Sequence, residues 1–149
     1  MKTSALLIMT FFGIAYGFAT VHTSPASVRM RIINESGCPT KILKAVVEND
    51  TGREISQIRY TLKNDTRRIV RAVFVRLVFL NPTGGVLGGE EFREMTKLRP
   101  GHQTELVTPL KHYAADGATV GITVSTVESE DGTWRGGNAS ALLQKTKQE

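Results

Sequence analysis

Two short segments alternate apolar and polar residues with a period of two, and this constrains the fold more than any other feature of the chain. In QIRYTLKN, Ile58, Tyr60 and Leu62 fall on one face while Arg59, Thr61 and Lys63 fall on the other. In TVGITVST, Val120, Ile122 and Val124 alternate in the same way with Gly121, Thr123 and Ser125. Successive side chains of an extended strand point to opposite faces, so each segment reads as a half-buried antiparallel strand.

Between them lies RRIVRAVFVRLVFLN, whose apolar residues occupy both parities from Ile69 to Leu80, with Arg71 and Arg76 on opposite faces. A strand covered on both sides, or one whose inward parity changes at a bulge, has this composition, and it is expected to be central. Weaker strand patterns run over Val28 to Ile33, Ile42 to Glu48, Gly88 to Met95 and Thr104 to Leu110. Turn signals separate them: NDTG, NDTR, NPTGG, RPGH and EDG. About seven short strands so spaced predict an all-β, antiparallel, immunoglobulin-like β-sandwich. It is placed over residues 27–136, with 137–149 read as a polar tail able to form a frayed helix.

The N-terminus departs from this pattern. Lys2 precedes the uncharged run Ala5 to Ala19, which is followed by small residues, as in a secretory signal peptide. Cleavage is expected after Ala19 or after Ala26, because the apolar run is shorter than the roughly 20 residues of a spanning helix. The protein is therefore expected to be secreted or periplasmic, with no stable membrane span after cleavage. One cysteine, Cys38, permits no internal disulfide and reads as a buried or idle thiol.

The net charge of +5 is spread along the sequence without a basic stripe or a nucleic-acid motif. No nucleic-acid partner is expected, and the charge implies only weak attraction to anionic surfaces.

The glycine-rich stretch FLNPTGGVLGGEEF invites comparison with a phosphate loop. Such a loop needs Lys followed by Ser or Thr at a helix start, and here Glu90 and Glu91 would repel phosphate instead. Pro82 presets the first corner of a hairpin turn, Gly84 or Gly85 takes positive φ, and Gly88-Gly89 marks a bulge or a close backbone approach.

Tyr60 to Leu106 resembles the FxLYD-type domain of exported bacterial proteins. The likeness rests on a strand ending in Asn64-Asp65-Thr66, a hydrophobic strand running into a turn, and Leu98-Arg99-Pro100-Gly101 before the next strand. VRLVFLNPTGG stands where the family has its F-x-L-Y-D signature, with Phe79 in an aromatic position and Asn81 replacing the aspartate. The resemblance implies a β-sandwich accessory or binding module and supplies no catalytic residues.

His22, His102 and His112 show no zinc-ligand spacing, and Ser56, Ser125, Ser129 and Cys38 lie in no nucleophile motif. No catalytic, cofactor or metal residue is assigned. Trp134 and Arg135, in EDGTWRGG, are the candidate partner-binding pair, since Trp and Arg are enriched at binding hot spots. The alternative for Trp134 is a ring folded back over the open end of the sandwich. Asn34, Asn49, Asn64 and Asn138 begin N-x-S/T triplets, for which a structural role is expected over a glycan.

These observations predict an exported, non-enzymatic binding or accessory module with a protein or glycan partner outside the cytoplasm. A small hydrolase with a loop-assembled site and a structural component of the cell envelope are the alternatives.

Overall fold

The computed structural model describes residues 28–50, 52–136 and 139–148; the expected signal peptide and Asn138 lie outside them. Eight strands form two sheets packed as a β-sandwich: β1 (Arg29–Ile33), β2 (Thr40–Asp50), β3 (Ile55–Asn64), β4 (Val70–Leu80), β5 (Val86–Leu98), β6 (Gln103–Pro109), β7 (Thr119–Ser129) and β8 (Gly132–Arg135). One sheet has the order β2-β3-β6, and the other runs β1-β7-β4-β5, with β8 also paired to β7.

The alternating segments form β3 and β7. Ile58, Tyr60 and Leu62 meet Val120, Ile122 and Val124 in one core, joined by Val73, Val75, Leu77 and Phe79 of β4. Full burial of such side chains supplies about 2 kcal/mol each, the main term that offsets chain ordering. The core lies between the sheets, and the turns at both ends stay exposed.

β4 is central, flanked by β5 and β7, and both explanations for its mixed parity hold. Its pairing shifts register between Val70 and Ala72, and again between Phe74 and Val75 on the β7 side. Its outer face is also partly covered, because Val78 and Leu80 are buried beneath Leu142 of helix α1 (Ala139–Lys147).

Two features add to the expected β-sandwich. One pair within it is parallel, β1 with β7, Arg29 opposite Thr119 through Ile33 opposite Thr123. After β1 the chain crosses to the other sheet instead of turning back on itself, so no hairpin reverses its direction. β1 and β8 thereby share one side of β7, β8 taking Thr126 to Ser129.

The C-terminal segment is also more than a polar tail. Leu142 and Thr146 are four residues apart on one helical face and both are buried, at 2% and 3% exposure. They cover Gly121, where an added Cβ would lie 2.3 Å from Thr146 Oγ1 and 3.0 Å from Val78 Cγ1. No helix among the described residues is long and apolar enough to cross a membrane.

The glycine-rich stretch is a hairpin connection. Gly84 takes φ 83°, and Asn81 Oδ1 accepts from the backbone N–H groups of Thr83 at 3.0 Å and Gly85 at 2.7 Å. Pairing slips between Phe79 and Leu80, which places the expected bulge at Leu87. The close approach is internal: the His112 ring lies over Gly88, and the Leu77 carbonyl lies against Gly89.

Candidate functional site

Asn64 ends β3 with no solvent exposure, and its bonds gather two turns. Its Nδ2 donates to the Arg68 carbonyl at 2.7 Å and to the Leu98 carbonyl at 2.9 Å. Its Oδ1 accepts from Thr66 N at 2.9 Å and Thr66 Oγ1 at 2.8 Å. The main chain adds Asn64 N to His102 O, 3.0 Å, and Gly101 N to Asn64 O, 2.9 Å. The β3–β4 loop and the β5–β6 turn are thus one hydrogen-bonded unit. Asn64-Asp65-Thr66 and Leu98-Arg99-Pro100-Gly101, separated in sequence by more than thirty residues, meet in this unit.

That unit sits in a concentration of positive charge. The segments 39–41, 63–71, 97–103 and 130–131 carry seven cations and three carboxylates, an excess of four in a chain whose total is +5. Lys41 and Lys63 both contact Asp65 at 2.9 Å, Arg68 contacts Asp131 at 2.7 Å, and Arg71 lies 3.9 Å from Glu130. Arg67, Lys97 and Arg99 form no ion pair among the described residues. Ion pairs also lie on the strand faces: Arg59 bridges Glu48 and Glu105, Arg76 meets Glu91, and Arg93 meets Glu128. Most of the net excess, though not most of the cations, therefore lies at one end of the sandwich.

Two shallow hollows flank Lys97. One, of about 570 Å³, is lined by Ile69, Arg71, Met95 and Glu130 as well as Lys97; the other, of about 300 Å³, adds Arg99 and His102. Met95 is 67% exposed, an apolar side chain standing among cations.

Hydrogen bonds from Lys63 and then Lys41 hold the Asp65 carboxyl below the usual carboxylate range. A depressed folded-state value contributes stability above the unfolded pKa, and this is lost as pH falls through the folded one. Acid unfolding should thus show a small Asp65 contribution below pH ~4. Chemical denaturation of wild type and Asp65→Asn should converge there and diverge at neutral pH.

The other candidate residues lie elsewhere. Trp134, on β8, is half-buried against the core, with its ring where a Cβ on Gly136 would stand, beside Glu35. Arg135 is exposed next to it, opposite Thr126. His112 Nδ1 lies 2.8 Å from Glu90 Oε1, and its ring packs 5.5 Å from that of Phe79. His102 contributes backbone bonds to Asn64 and Arg99. Burial raises the pKa of the Cys38 thiol, keeping it protonated and poorly nucleophilic. No group of three or more His, Cys, Asp or Glu is placed to hold a metal among the described residues.

Three triplet asparagines have their side-chain nitrogens engaged: Asn34 with the Ile42 carbonyl, Asn49 with the Ala114 carbonyl, and Asn64 as above. All three serve the fold.

One buried polar group is unsatisfied. The Tyr60 hydroxyl, near Thr108 and Glu94, has no well-formed hydrogen bond among the described residues, and burial together with the Glu94 charge raises its pKa strongly. Deleting an unpaired buried hydroxyl relieves a desolvation cost of about 1 kcal/mol. Tyr60→Phe should therefore unfold at the same or a higher denaturant midpoint; a clear loss would show that the hydroxyl has a partner.

No protein-family model matches the sequence, and a search of curated proteins found no match. Solved structures similar in fold include a hypothetical protein from Peptoclostridium difficile, with TM-score 0.53 and 10% identity over 77% of this chain and 94% of that one. A Campylobacter jejuni protein matches at TM-score 0.41 and 15% identity, covering 63% of this chain and 97% of that one. A DUF1425 family member from a Shewanella species matches at 0.37 and 8%, covering 56% and 76%. The first of these likenesses shows a shared fold, and at such identity the fold alone.

Proposed function

We propose that the chain is an exported, non-enzymatic binding or accessory module whose recognition surface is the turn end gathered by Asn64. The observation that carries this reading is an excess of four positive charges on the two turns joined by Asn64 and the strand ends beside them. Preorganised turns lose little conformational freedom on binding, and an unneutralised charge field steers an anionic partner towards them. The resemblance to the FxLYD-type domain, an accessory or binding module, rests on the residues that form this unit. Export is the reading of the N-terminal apolar run.

The test is affinity capture from extracellular or envelope extract on immobilised chain from residue 27 onwards, beside two variants. The Arg67→Ala/Lys97→Ala/Arg99→Ala triple should lose the captured material and Trp134→Ala should retain it. The opposite outcome places recognition on β8 and contradicts the proposal.

A further inference from the structure

Resting on that reading, we propose that the turn end docks on a bilayer surface rich in anionic phospholipid, with Met95 entering the headgroup layer. Three features point to a membrane in preference to a soluble polyanion. First, Arg67, Lys97 and Arg99 carry charge that no carboxylate among the described residues neutralises, and each such cation near an anionic leaflet strengthens attachment about fivefold. Second, Met95 and Ile69 line the same hollow as Arg71 and Lys97, and Met95 is largely exposed. Apolar side chains beside cations suit the boundary between headgroups and acyl chains. Third, Arg67 and Arg99 sit on neighbouring turns and Lys97 at the end of β5 beside them, so one surface can meet all three.

A nucleic-acid strand is a poorer fit. Sequence-tolerant binding of single strands uses aromatic side chains on which bases stack, and segments 39–41, 63–71, 97–103 and 130–131 contain no Phe, Tyr or Trp, only His102.

The test is co-sedimentation of the chain from residue 27 onwards with phosphatidylcholine vesicles, with and without phosphatidylglycerol. The core lies wholly within the described residues, so this chain retains it. Binding is expected to the anionic vesicles only, weakening as salt rises. The triple alanine variant should bind about a hundredfold more weakly. Met95→Ser should weaken binding severalfold while leaving the salt dependence unchanged, since it removes apolar contact and no charge. These exposed substitutions should leave the denaturation midpoint nearly unmoved, which separates lost binding from lost folding.

Equal binding to both vesicle types, or a triple variant that binds like wild type, overturns the lipid proposal. Retention on soluble polyphosphate, lost in the triple variant and without vesicle binding, overturns the lipid partner and keeps the turn end as the recognition surface. Absence of binding to either probe, with capture from extract unchanged in the triple variant, overturns both readings.

Discussion

Replacing Asn64 with alanine is expected to lower the unfolding free energy by about 4 kcal/mol, a large part of the 5–15 kcal/mol of a typical small domain. The side chain is fully buried and makes four bonds, two as donor to carbonyls of different turns and two as acceptor from Thr66. Alanine leaves Arg68 O, Leu98 O and the Thr66 donors without this partner. Each buried group left unsatisfied costs about 1–3 kcal/mol, more than the net value of the bond itself. Asn64→Asp discriminates this account from simple loss of volume. It is nearly isosteric and still accepts from Thr66, yet it sets a carboxylate against two carbonyl oxygens. It should be at least as destabilising as alanine in urea denaturation at neutral pH. An aspartate variant as stable as wild type would show that the two donor bonds contribute little.

Gly121→Ala is the second large effect, expected to destabilise by about 2–3 kcal/mol through overpacking. The new methyl would collide with Thr146, so α1 must lift from the sheet and uncover Val78 and Leu80. Limited proteolysis should then cut within Ala139–Lys147 faster than in wild type. The mechanism has a specific rescue: with Thr146→Ala in place only the tight contact with Val78 remains, and adding Gly121→Ala should cost under about 1 kcal/mol. A cost that is equal in both backgrounds would mean that the glycine matters for strand geometry and not for the helix above it.

These two residues also show how far the sequence can be read. β3 and β7 were visible because the core side chains alternate with polar ones, and the Pro82–Gly84 corner was visible because few residues tolerate its backbone. Gly121, Thr123 and Ser125 misled for the same reason. They look like a solvent face, yet all three are buried. Small size is what lets a helix sit there, and a sequence reports polarity more readily than available space. The parallel pairing of β1 depends on where the chain crosses between sheets, which local periodicity does not encode.

The candidate site was hidden for a different reason. Lys41, Arg67 and Lys97 are far apart in the chain, and each looks like an ordinary surface residue in its own segment. Only the pairing of Val70 with both Leu98 and Ser129, and the bonds of Asn64, bring their segments to one end. The Trp134–Arg135 pair drew attention as an isolated aromatic beside an arginine. In the fold the indole packs on the core and Arg135 stands at the sheet edge. The motifs Asn64-Asp65-Thr66 and Leu98-Arg99-Pro100-Gly101 were legible as turns, but their joining through a single amide was not.

The central claim is that recognition belongs to the turn end, and backbone amide NMR of the labelled chain titrated with phosphatidylglycerol-containing nanodiscs tests it most directly. The account predicts that signals of residues 64–71 and 95–103 broaden first and together, while those of β8 around Trp134 and Arg135 persist. Early broadening at β8, with 64–71 and 95–103 unaffected, would contradict it.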